Sequence, residues 1–324
     1  MITLSSKRNI EMKRIKINLD LTPSERWKGL GQYTEEINGL FKYYLEDLSG
    51  AGVFEEYIEL YKTNFISKTY RDEIKSIQEF CNFTENQILI TNLYYDALKF
   101  VFGCTAFCVT SQKEKLHARN LDWWTENNIL GKYTKIFDFE QNGKKKYSLV
   151  GWPGFVGALS GVKPGVFSIT LNAVLSNESP QFAIPITFLI RDVLEKAKTF
   201  IEAVKILSET TIASDCLLMV VGVNEGENIV IERTPTLFSI RKPLEDSLIV
   251  TNEYLSLTEN KLTQDTLQLT AFGRHVRVKE LLDENKPKVI EDYFDVLSDS
   301  KVKMDITVQQ MVLNPKNGDI HLKI

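Results

Sequence analysis

The first third of the chain spaces its apolar positions as amphipathic helices do, at steps of three and four residues. On one face, from Ser24 onward, these positions include Leu30, Tyr33, Ile37, Leu40, Phe41 and Tyr44. A second run of the same period covers residues 70–80. Because such spacing places apolar side chains on one side of a helix, we expect mostly helix up to about Phe102. Pro23, followed by Ser24 and Glu25, indicates where the first helix starts.

Short apolar runs separated by turn residues replace this pattern from Cys104 onward. The predicted strands cover residues 105–110, 116–121, 147–150, 155–160, 166–171, 217–223, 229–233, 238–241, 248–251, 306–313 and 320–324. The helical period returns at 184–207, 275–282 and 289–297. Asn317-Gly318 before the last strand is a strong hairpin signal. We therefore expect antiparallel sheet, interrupted and followed by helices.

The composition is that of an ordinary folded protein. Hydrophobic residues make up 43% and charged residues 25% of the 324, and this length allows one large domain or two small ones. Lys+Arg of 39 against Asp+Glu of 43 leaves a net charge of −4. No cationic field favours nucleic acid as a partner, and no apolar stretch approaches the roughly 18 residues of a membrane span.

Two features bear on the compartment. The first 20 residues are basic and lack the apolar run of about 7–15 residues that a secretory signal requires. The four cysteines show no C-x-x-C spacing, which suits a reducing compartment. We expect a cytoplasmic location, or a chain whose signal has been removed.

Most patterns that mark a known chemistry are missing. The chain has no G-x-G-x-x-G, Walker, H-E-x-x-H or G-x-S-x-G motif. S-x-x-K occurs twice, at 160–163 and 298–301, without an accompanying K-T-G, which indicates coincidence. A metal site needing several imidazoles is not expected with only His117, His275 and His321, and no organic cofactor is predicted either.

The hairpin that starts at Cys104 brings three reactive side chains together. If its turn centres in the polar segment between the two strands, Cys104 lies opposite Asp122. In the same register Arg119 lies opposite Phe107. Alternation puts Arg119 and Asp122 on opposite faces, so a shared site requires the strand to end or bulge near Asn120. Spacing alone favours a simpler interpretation, a buried strand cysteine beside a surface ion pair.

These residues resemble the nucleophile segment of a known enzyme family. Gly-Cys-Thr-Ala at 103–106, followed by His-Ala-Arg-Asn-Leu-Asp at 117–122, is similar to that segment in the acid ceramidase and N-acylethanolamine acid amidase family. Those proteins are N-terminal-nucleophile cysteine hydrolases, related to the choloylglycine hydrolases. Other motif positions are matched in the same order by residues 17–27, 155–172, 250–252 and Arg274.

The resemblance implies a fold and a processing step. The fold is an α+β sandwich of four layers, αββα, with a helical N-terminal segment wrapped around it. The family's precursor cuts itself just before the cysteine, here between Gly103 and Cys104. Residues 1–103 would then form a helical small subunit and residues 104–324 the catalytic domain, and the two would stay associated. The freed α-amine, with an ordinary pKa of about 7.7–8.0, would be the base for the thiol, so no histidine is needed.

The resemblance also implies roles for single residues. Cys104 would attack an amide carbonyl and form a thioester. Arg119 and Asp122 would hold the thiol and the α-amine in place, and the positive charge would favour thiolate.

Further positions of the resemblance concern the developing oxyanion. Asn252 would donate its side-chain amide there, and Asn172 is a second polar candidate at the oxyanion or the substrate carbonyl. Strand-end capping is the alternative, less favoured role for both asparagines. Arg274 would be a supporting charge, a role for which Arg277 competes, and a solvated helix position explains either arginine.

The implied reaction is hydrolysis of a linear amide bond in an N-acylated lipid or amino alcohol, of the ceramide or N-acylethanolamine type. A lipid substrate would also imply peripheral contact with a membrane. Apolar residues within 53–61 would line a lipid entrance or, more simply, pack in the core. Two alternatives remain, an acyltransferase that uses the same thioester and a catalytically silent lipid-binding homologue.

The chain departs from the family pattern at three places. After the central hairpin it reads Asn172-Ala173-Val174, where the family typically has Asn-Glu-Arg. Residues 253–254 are Glu-Tyr, where an aromatic residue and then an acid are usual, and 271–273 are Ala-Phe-Gly instead of acidic residues. The missing acid and base favour a specialised substrate and leave room for the silent alternative.

Overall fold

A computed structural model describes residues 13–48, 54–98, 102–243, 245–257 and 269–324. Its strands are β1 (Arg14–Asn18), β2 (Phe102–Val109), β3 (His117–Trp123), β4 (Lys135–Gln141), β5 (Lys144–Gly151), β6 (Ser160–Lys163), β7 (Phe167–Asn172), β8 (Cys216–Gly222), β9 (Asn228–Arg233), β10 (Phe238–Arg241), β11 (Ser247–Val250), β12 (Thr307–Leu313) and β13 (Ile320–Lys323). Its α-helices are α1 (Pro23–Arg26), α2 (Thr34–Leu48), α3 (Phe54–Phe65), α4 (Lys68–Gln78), α5 (Glu85–Asn92), α6 (Tyr94–Leu98), α7 (Ile129–Tyr133), α8 (Ile186–Lys196), α9 (Phe200–Glu209), α10 (Ala271–Glu284) and α11 (Ile290–Ser298).

The strands form two sheets. The larger has eight strands in the order β1-β4-β5-β6-β7-β8-β9-β10, and the smaller has five in the order β11-β2-β3-β12-β13. β1 runs parallel to β4, and every other named pair is antiparallel. The smaller sheet therefore draws its strands from three separate parts of the sequence, and it contains the cysteine hairpin, β2 and β3.

The two sheets pack face to face between helical layers. β8 shows this most clearly, because all seven of its residues are buried. Leu217, Met219 and Val221 pack against β2 and β11 of the other sheet, whereas Leu218 and Val220 point into the core beneath the helices. On the far side, α10 and α11 cover the outer face of the smaller sheet. The order of layers is the predicted αββα.

Most predicted elements are confirmed, with some differences. The pattern at 184–207 is two helices, because Ala197 is extended and the Thr199 side chain caps α9 by accepting from the Glu202 amide. Residues 155–159 are not strand, and β6 begins only at Ser160. β1 and β4 were absent from the sequence-based strands.

The apolar segment 53–61, expected to pack in the core or face a lipid, does not behave uniformly on helix α3. Ile58 is buried at 2% exposure, but Leu60 is 59% exposed. Val53 lies outside the described residues. Among the helices that the structure describes, none is both long and apolar enough to cross a membrane.

A buried ion-pair cluster joins the N-terminal helices to the sheet layers. The carboxylate of Glu73 on α4 accepts hydrogen bonds from Arg191 Nη2 on α8 at 2.7 Å and from Arg26 Nη1 at 3.2 Å. Glu73 and Arg191 are both fully buried. The Arg191 guanidinium also lies 4.9 Å from the ring centre of Phe139 on β4 and 5.1 Å from that of Tyr70. The pair is thus enclosed by residues from both parts of the chain.

We expect Glu73→Gln to lower the free energy of unfolding by about 3–5 kcal/mol, because it leaves two buried guanidinium groups without their carboxylate. Urea denaturation of the purified chain measures this. Glu59→Gln is the matched control, since Glu59 pairs with Lys62 on an exposed helix face and should hardly shift the midpoint. Equal shifts for the two variants would contradict the assigned role of Glu73.

Candidate active site

The cysteine hairpin pairs one residue away from the predicted register. Cys104 lies opposite Leu121, and Gly103 lies opposite Asp122, so the expected pairing of Cys104 with Asp122 is wrong. The turn between the strands carries no Asn-Gly or similar signature that would fix the pairing from sequence. Arg119 lies opposite Ala106, which puts it two residues from Cys104 on the same face.

Arg119 and Asp122 lie on opposite faces of β3, which neither ends nor bulges near Asn120 in its pairing with β2. Arg119 faces the thiol. Asp122 lies beside Gly103 instead, so close that a Cβ on Gly103 would be 3.1 Å from Asp122 Cβ and 3.2 Å from the Met304 sulfur. Because Gly103 has no side chain, the two residues flank the Gly103–Cys104 bond from two sides.

The thiol of Cys104 faces the larger sheet. Its Sγ is 3.4 Å from Arg119 Nη2 and 3.8 Å from the Leu171 carbonyl oxygen. Arg119 is fully buried and also donates to that carbonyl at 2.6 Å. Its Nη1 donates to the Ser160 hydroxyl. Neutral oxygens therefore hold the guanidinium, and its positive charge lies beside the thiol.

The contact with Ser160 also explains the first S-x-x-K pattern. Ser160 supports Arg119, while Lys163 Nζ donates to the carbonyls of Leu194 and Glu195 at 3.0 and 3.1 Å at the end of α8. The two residues are not a catalytic serine–lysine pair.

Asn252 holds the backbone of Cys104. It lies two residues past Val250, which pairs with Ala106 at the end of β11. The Cys104 N–H donates to Asn252 Oδ1 at 2.9 Å, so the side chain extends the strand pairing. Asn252 Nδ2 donates to the Ala173 carbonyl at 2.8 Å. Asn252 thus links Cys104 to the segment that follows β7.

Arg274 on α10 completes this arrangement. It is 2% exposed, and it donates to the Cys104 carbonyl at 2.5 Å and to Asn252 Oδ1 at 2.8 Å. Its Nη1 lies 4.0 Å from Asp122. Burial lowers the pKa of Arg274, and the charge of Asp122 opposes that change. Arg277 is elsewhere, in ion pairs with Asp299 and Glu280.

Asn172 lies at the end of β7 with its amide nitrogen occupied. Its Nδ2 donates to the carbonyls of Val250 at 3.2 Å and Thr251 at 2.9 Å, which uses both hydrogens. Its Oδ1 is buried and has no hydrogen-bond partner among the described residues. The atom that Asn172 can still offer is therefore an acceptor, which does not suit an oxyanion.

The pKa of the Asp122 carboxyl group is subject to opposing effects. Burial raises its pKa above the ordinary value, while the charge of Arg274 and a 2.5 Å hydrogen bond from the Thr307 hydroxyl lower it. The Thr105 hydroxyl accepts a hydrogen bond from Arg274 at 2.8 Å. Neither Thr105 nor Thr307 was predicted from sequence as a site residue. No spacing signal could have identified Thr307, because it is 185 residues from Asp122.

His117 lies between the sheets as a structural residue. Its Nδ1 is 3.0 Å from the Ser168 hydroxyl and its Nε2 is 2.9 Å from the Thr170 hydroxyl, both on β7. Burial, with the charge of Arg119, lowers the pKa of His117 to about 3. The ring stays neutral at ordinary pH, and both of its nitrogens are occupied by hydroxyl groups of β7. Among the described residues, no group of three or more His, Cys, Asp or Glu side chains could hold a metal ion.

Comparison with known proteins shows which sequences this chain is similar to. The family described as acyl-coenzyme A:6-aminopenicillanic acid acyl-transferase matches residues 109–319. The N-acylethanolamine-hydrolyzing acid amidase of Caenorhabditis elegans is 30% identical over 94% of this chain and 89% of its own. The acid ceramidase of Balaenoptera acutorostrata scammoni is 29% identical over 67% of this chain, which spans 62% of that relative's length.

A solved structure shares the fold. The Caenorhabditis elegans N-acylethanolamine-hydrolyzing acid amidase ortholog superposes with a TM-score of 0.57 and 27% identity, over 67% of this chain and 94% of that one. The predicted α+β fold class is confirmed by this likeness together with the observed layers.

The buried state of His117 predicts a dependence of stability on pH. Its pKa of about 3 in the folded chain lies below the ordinary 6.5, so only the unfolded chain gains a proton as the pH falls below 6.5. The stability that His117 contributes is present above that pH and is lost on acidification. Relative to His117→Gln, the wild-type chain should lose about 2 kcal/mol of unfolding free energy between pH 7 and pH 5. Urea denaturation at both pH values measures it, and parallel behaviour of the two proteins would show that His117 titrates normally.

Proposed function

Because this chain belongs to the acid ceramidase and N-acylethanolamine acid amidase family of N-terminal-nucleophile hydrolases, we propose that it is a cysteine amidase. Its substrate is the linear amide bond of an N-acylated lipid or amino alcohol. The wider family that its sequence matches is described as acyl-coenzyme A:6-aminopenicillanic acid acyl-transferase. One observation carries the proposal. Cys104 has its thiol against Arg119 and its backbone N–H and C=O held by Asn252 and Arg274.

The first step is self-cleavage of the Gly103–Cys104 bond. Cys104 Sγ bonds to the Gly103 carbonyl carbon as the C–N bond breaks, and the thiol proton goes to the departing nitrogen. Water then splits the thioester, which leaves a carboxylate on Gly103 and restores the thiol. Asp122 is suited to assist because it lies beside Gly103 and within 4.0 Å of Arg274. The product carries a free α-amine on Cys104.

The turnover of substrate follows the same chemistry. The α-amine takes the thiol proton, and Sγ attacks the amide carbonyl of the substrate. Asn252 Nδ2 has two hydrogens, and the structure records one bond from it, to the Ala173 carbonyl, so the second suits the oxyanion. The amine leaves with a proton, and water hydrolyses the thioester to release the acid.

The substrate class rests on the relatives, which are named for N-acylethanolamine hydrolysis and for ceramide. The chain differs from the family pattern at Ala173 and Val174, which are both buried, and Val174 packs in the core between the sheets. Without an acid and a base there, we propose that turnover depends on the α-amine and does not require acidic pH.

A lipid substrate also implies contact with a membrane surface. Exposed apolar side chains support this. Phe182 is 64% exposed, and its ring is stacked 6.4 Å from that of Phe65 on α3. Leu60, on the same helix, is 59% exposed. Co-sedimentation with phospholipid vesicles tests it, and loss of binding is expected for Phe182→Ser.

Self-cleavage is tested by intact mass spectrometry. Wild-type protein should yield fragments 1–103 and 104–324, whereas Cys104→Ala should stay whole because it lacks the nucleophile. Cys108→Ala is the matched control, since Cys108 is a buried cysteine of the same strand and its thiol lies 3.9 Å from Asn228, away from the site. Wild-type protein that stays whole across a range of pH would overturn the mechanism and favour a silent lipid-binding protein.

Asn252→Ala should lower kcat by about 10²- to 10³-fold on an N-acylethanolamine, because the developing oxyanion loses its donor. Release of free fatty acid, counted per cleaved chain, measures this. Asn314→Ala is the control, because that buried asparagine donates to Glu114 and is remote from Cys104. A kcat within threefold of wild type would exclude Asn252 as the donor.

The acyltransferase alternative is favoured by the description of the wider family. It is tested by adding amine acceptors to the same assay and looking for new acyl–amine conjugates.

A further inference from the structure

One buried carboxylate holds the segment that carries Asn252. We call residues 252–257 the Asn252 loop. Glu232, the fifth residue of β9, is fully buried, and its Oε2 accepts hydrogen bonds from three consecutive backbone amides of that loop. The distances are 3.2 Å from Leu255, 2.9 Å from Ser256 and 3.0 Å from Leu257. The Leu255 amide also lies 3.1 Å from Oε1. The loop is therefore wrapped around a single charged group.

Arg241 ties this carboxylate to the strand that leads into the loop. Its Nε donates to Glu232 Oε1 at 3.3 Å, and its Nη2 donates to the Ile249 carbonyl at 2.9 Å on β11. Tyr254, within the loop, donates from its hydroxyl to the Arg233 carbonyl at 2.6 Å. The loop is fixed to β9 at both Glu232 and Arg233.

Nothing in the proposed reaction explains this concentration of hydrogen bonds. Glu232 does not contact Cys104, and the thiol, the α-amine and the oxyanion are served by other residues. Asn252 lies three residues before Leu255, the first amide that Glu232 binds. It must place Oδ1 against the Cys104 N–H and Nδ2 against the Ala173 carbonyl at the same time. A shift of about 1 Å in such a residue is enough to change a rate by 10²-fold.

We propose that Glu232 is a positioning residue for Asn252, and that through Asn252 it sets the geometry of Cys104. This inference rests on the proposed function and assigns a specific source for the precision of the site. Charge matters in this role. An ionised carboxylate offers lone pairs on both oxygens, and hydrogen bonds to it are about twice as strong as neutral ones. A glutamine of the same shape has one acceptor oxygen, and its NH₂ group would face the amides or Arg241.

The test compares Glu232→Gln with wild type for hydrolysis of an N-acylethanolamine, counted per cleaved chain. We expect kcat to fall by about 10- to 100-fold with KM changed less than about twofold, because substrate contacts remain while the oxyanion donor moves. Self-cleavage should slow by a similar factor, since Asn252 also holds the Cys104 amide. Glu232→Asp should recover part of both rates, because it keeps the carboxylate.

Glu227→Gln is the matched control. Glu227 is also a carboxylate that accepts from a loop backbone, at 2.9 Å from the Asn224 amide, but it lies at the opposite end of β9. It should leave kcat unchanged. A double variant with Asn252→Ala separates positioning from general structure. If Glu232 acts through Asn252, adding Glu232→Gln to Asn252→Ala should lower the rate no further, whereas multiplying effects would overturn the proposal.

Hydrogen exchange read by mass spectrometry gives a measurement independent of activity. Peptides that cover residues 252–257 should exchange faster in Glu232→Gln than in wild type or Glu227→Gln. Faster exchange with an unchanged kcat would show a purely structural role and refute the proposal. Wild-type protein that neither cleaves itself nor hydrolyses the substrate would refute the proposed function, and the exchange result would then still decide whether Glu232 holds the loop.

Discussion

The oxygen of one buried asparagine side chain organises the centre of this molecule. Asn252 Oδ1 accepts the Cys104 N–H and the Arg274 guanidinium together, and Arg274 in turn grips the Cys104 carbonyl. Cys104 is thus held by its own main chain, and its thiol faces Arg119. Elements from three distant parts of the sequence, β2, the end of β11 and α10, must dock correctly before this single contact can exist.

The buried charges around this contact are compensated differently, Arg274 by a carboxylate and Arg119 by neutral oxygens. Asp122 and Arg274 are both buried and 4.0 Å apart, so each tempers the energetic penalty that burial imposes on the other. Arg119 relies instead on the Leu159 and Leu171 carbonyls and on Ser160. A guanidinium solvated by dipoles keeps its field directed at the neighbouring sulfur, whereas a carboxylate partner would have cancelled much of that field.

Sequence patterns identified strands that are buried on both faces, because continuous apolar runs such as β8 leave little ambiguity. They missed β4, where Lys135 and Asp138 interrupt the run. Those charges are buried only because Glu36 lies 2.8 Å from Lys135 and Arg14 binds Asp138, and such partners come from tertiary structure.

The same limit applies to the prediction of the site. The hairpin brought Cys104 and Arg119 together by local pairing, but the contacts of Asn252 and Arg274 with Cys104 cross 148 and 170 residues, and only a family resemblance placed them in sequence.

β1 gives the N-terminal segment the edge position of the larger sheet, next to β4. It pairs in parallel with β4 along five residues, and the bidentate contact of Arg14 with Asp138 reinforces the seam. A chain divided after Gly103 would consist of two polypeptides that share one hydrogen-bonded sheet. If the shorter polypeptide left, β4 would lose its partner β1 and become the edge strand of the sheet. Its unpaired backbone amides and carbonyls would then be exposed, and such an edge can pair with strands of other molecules. Retention of that segment is therefore a safeguard against aggregation, built into the fold itself.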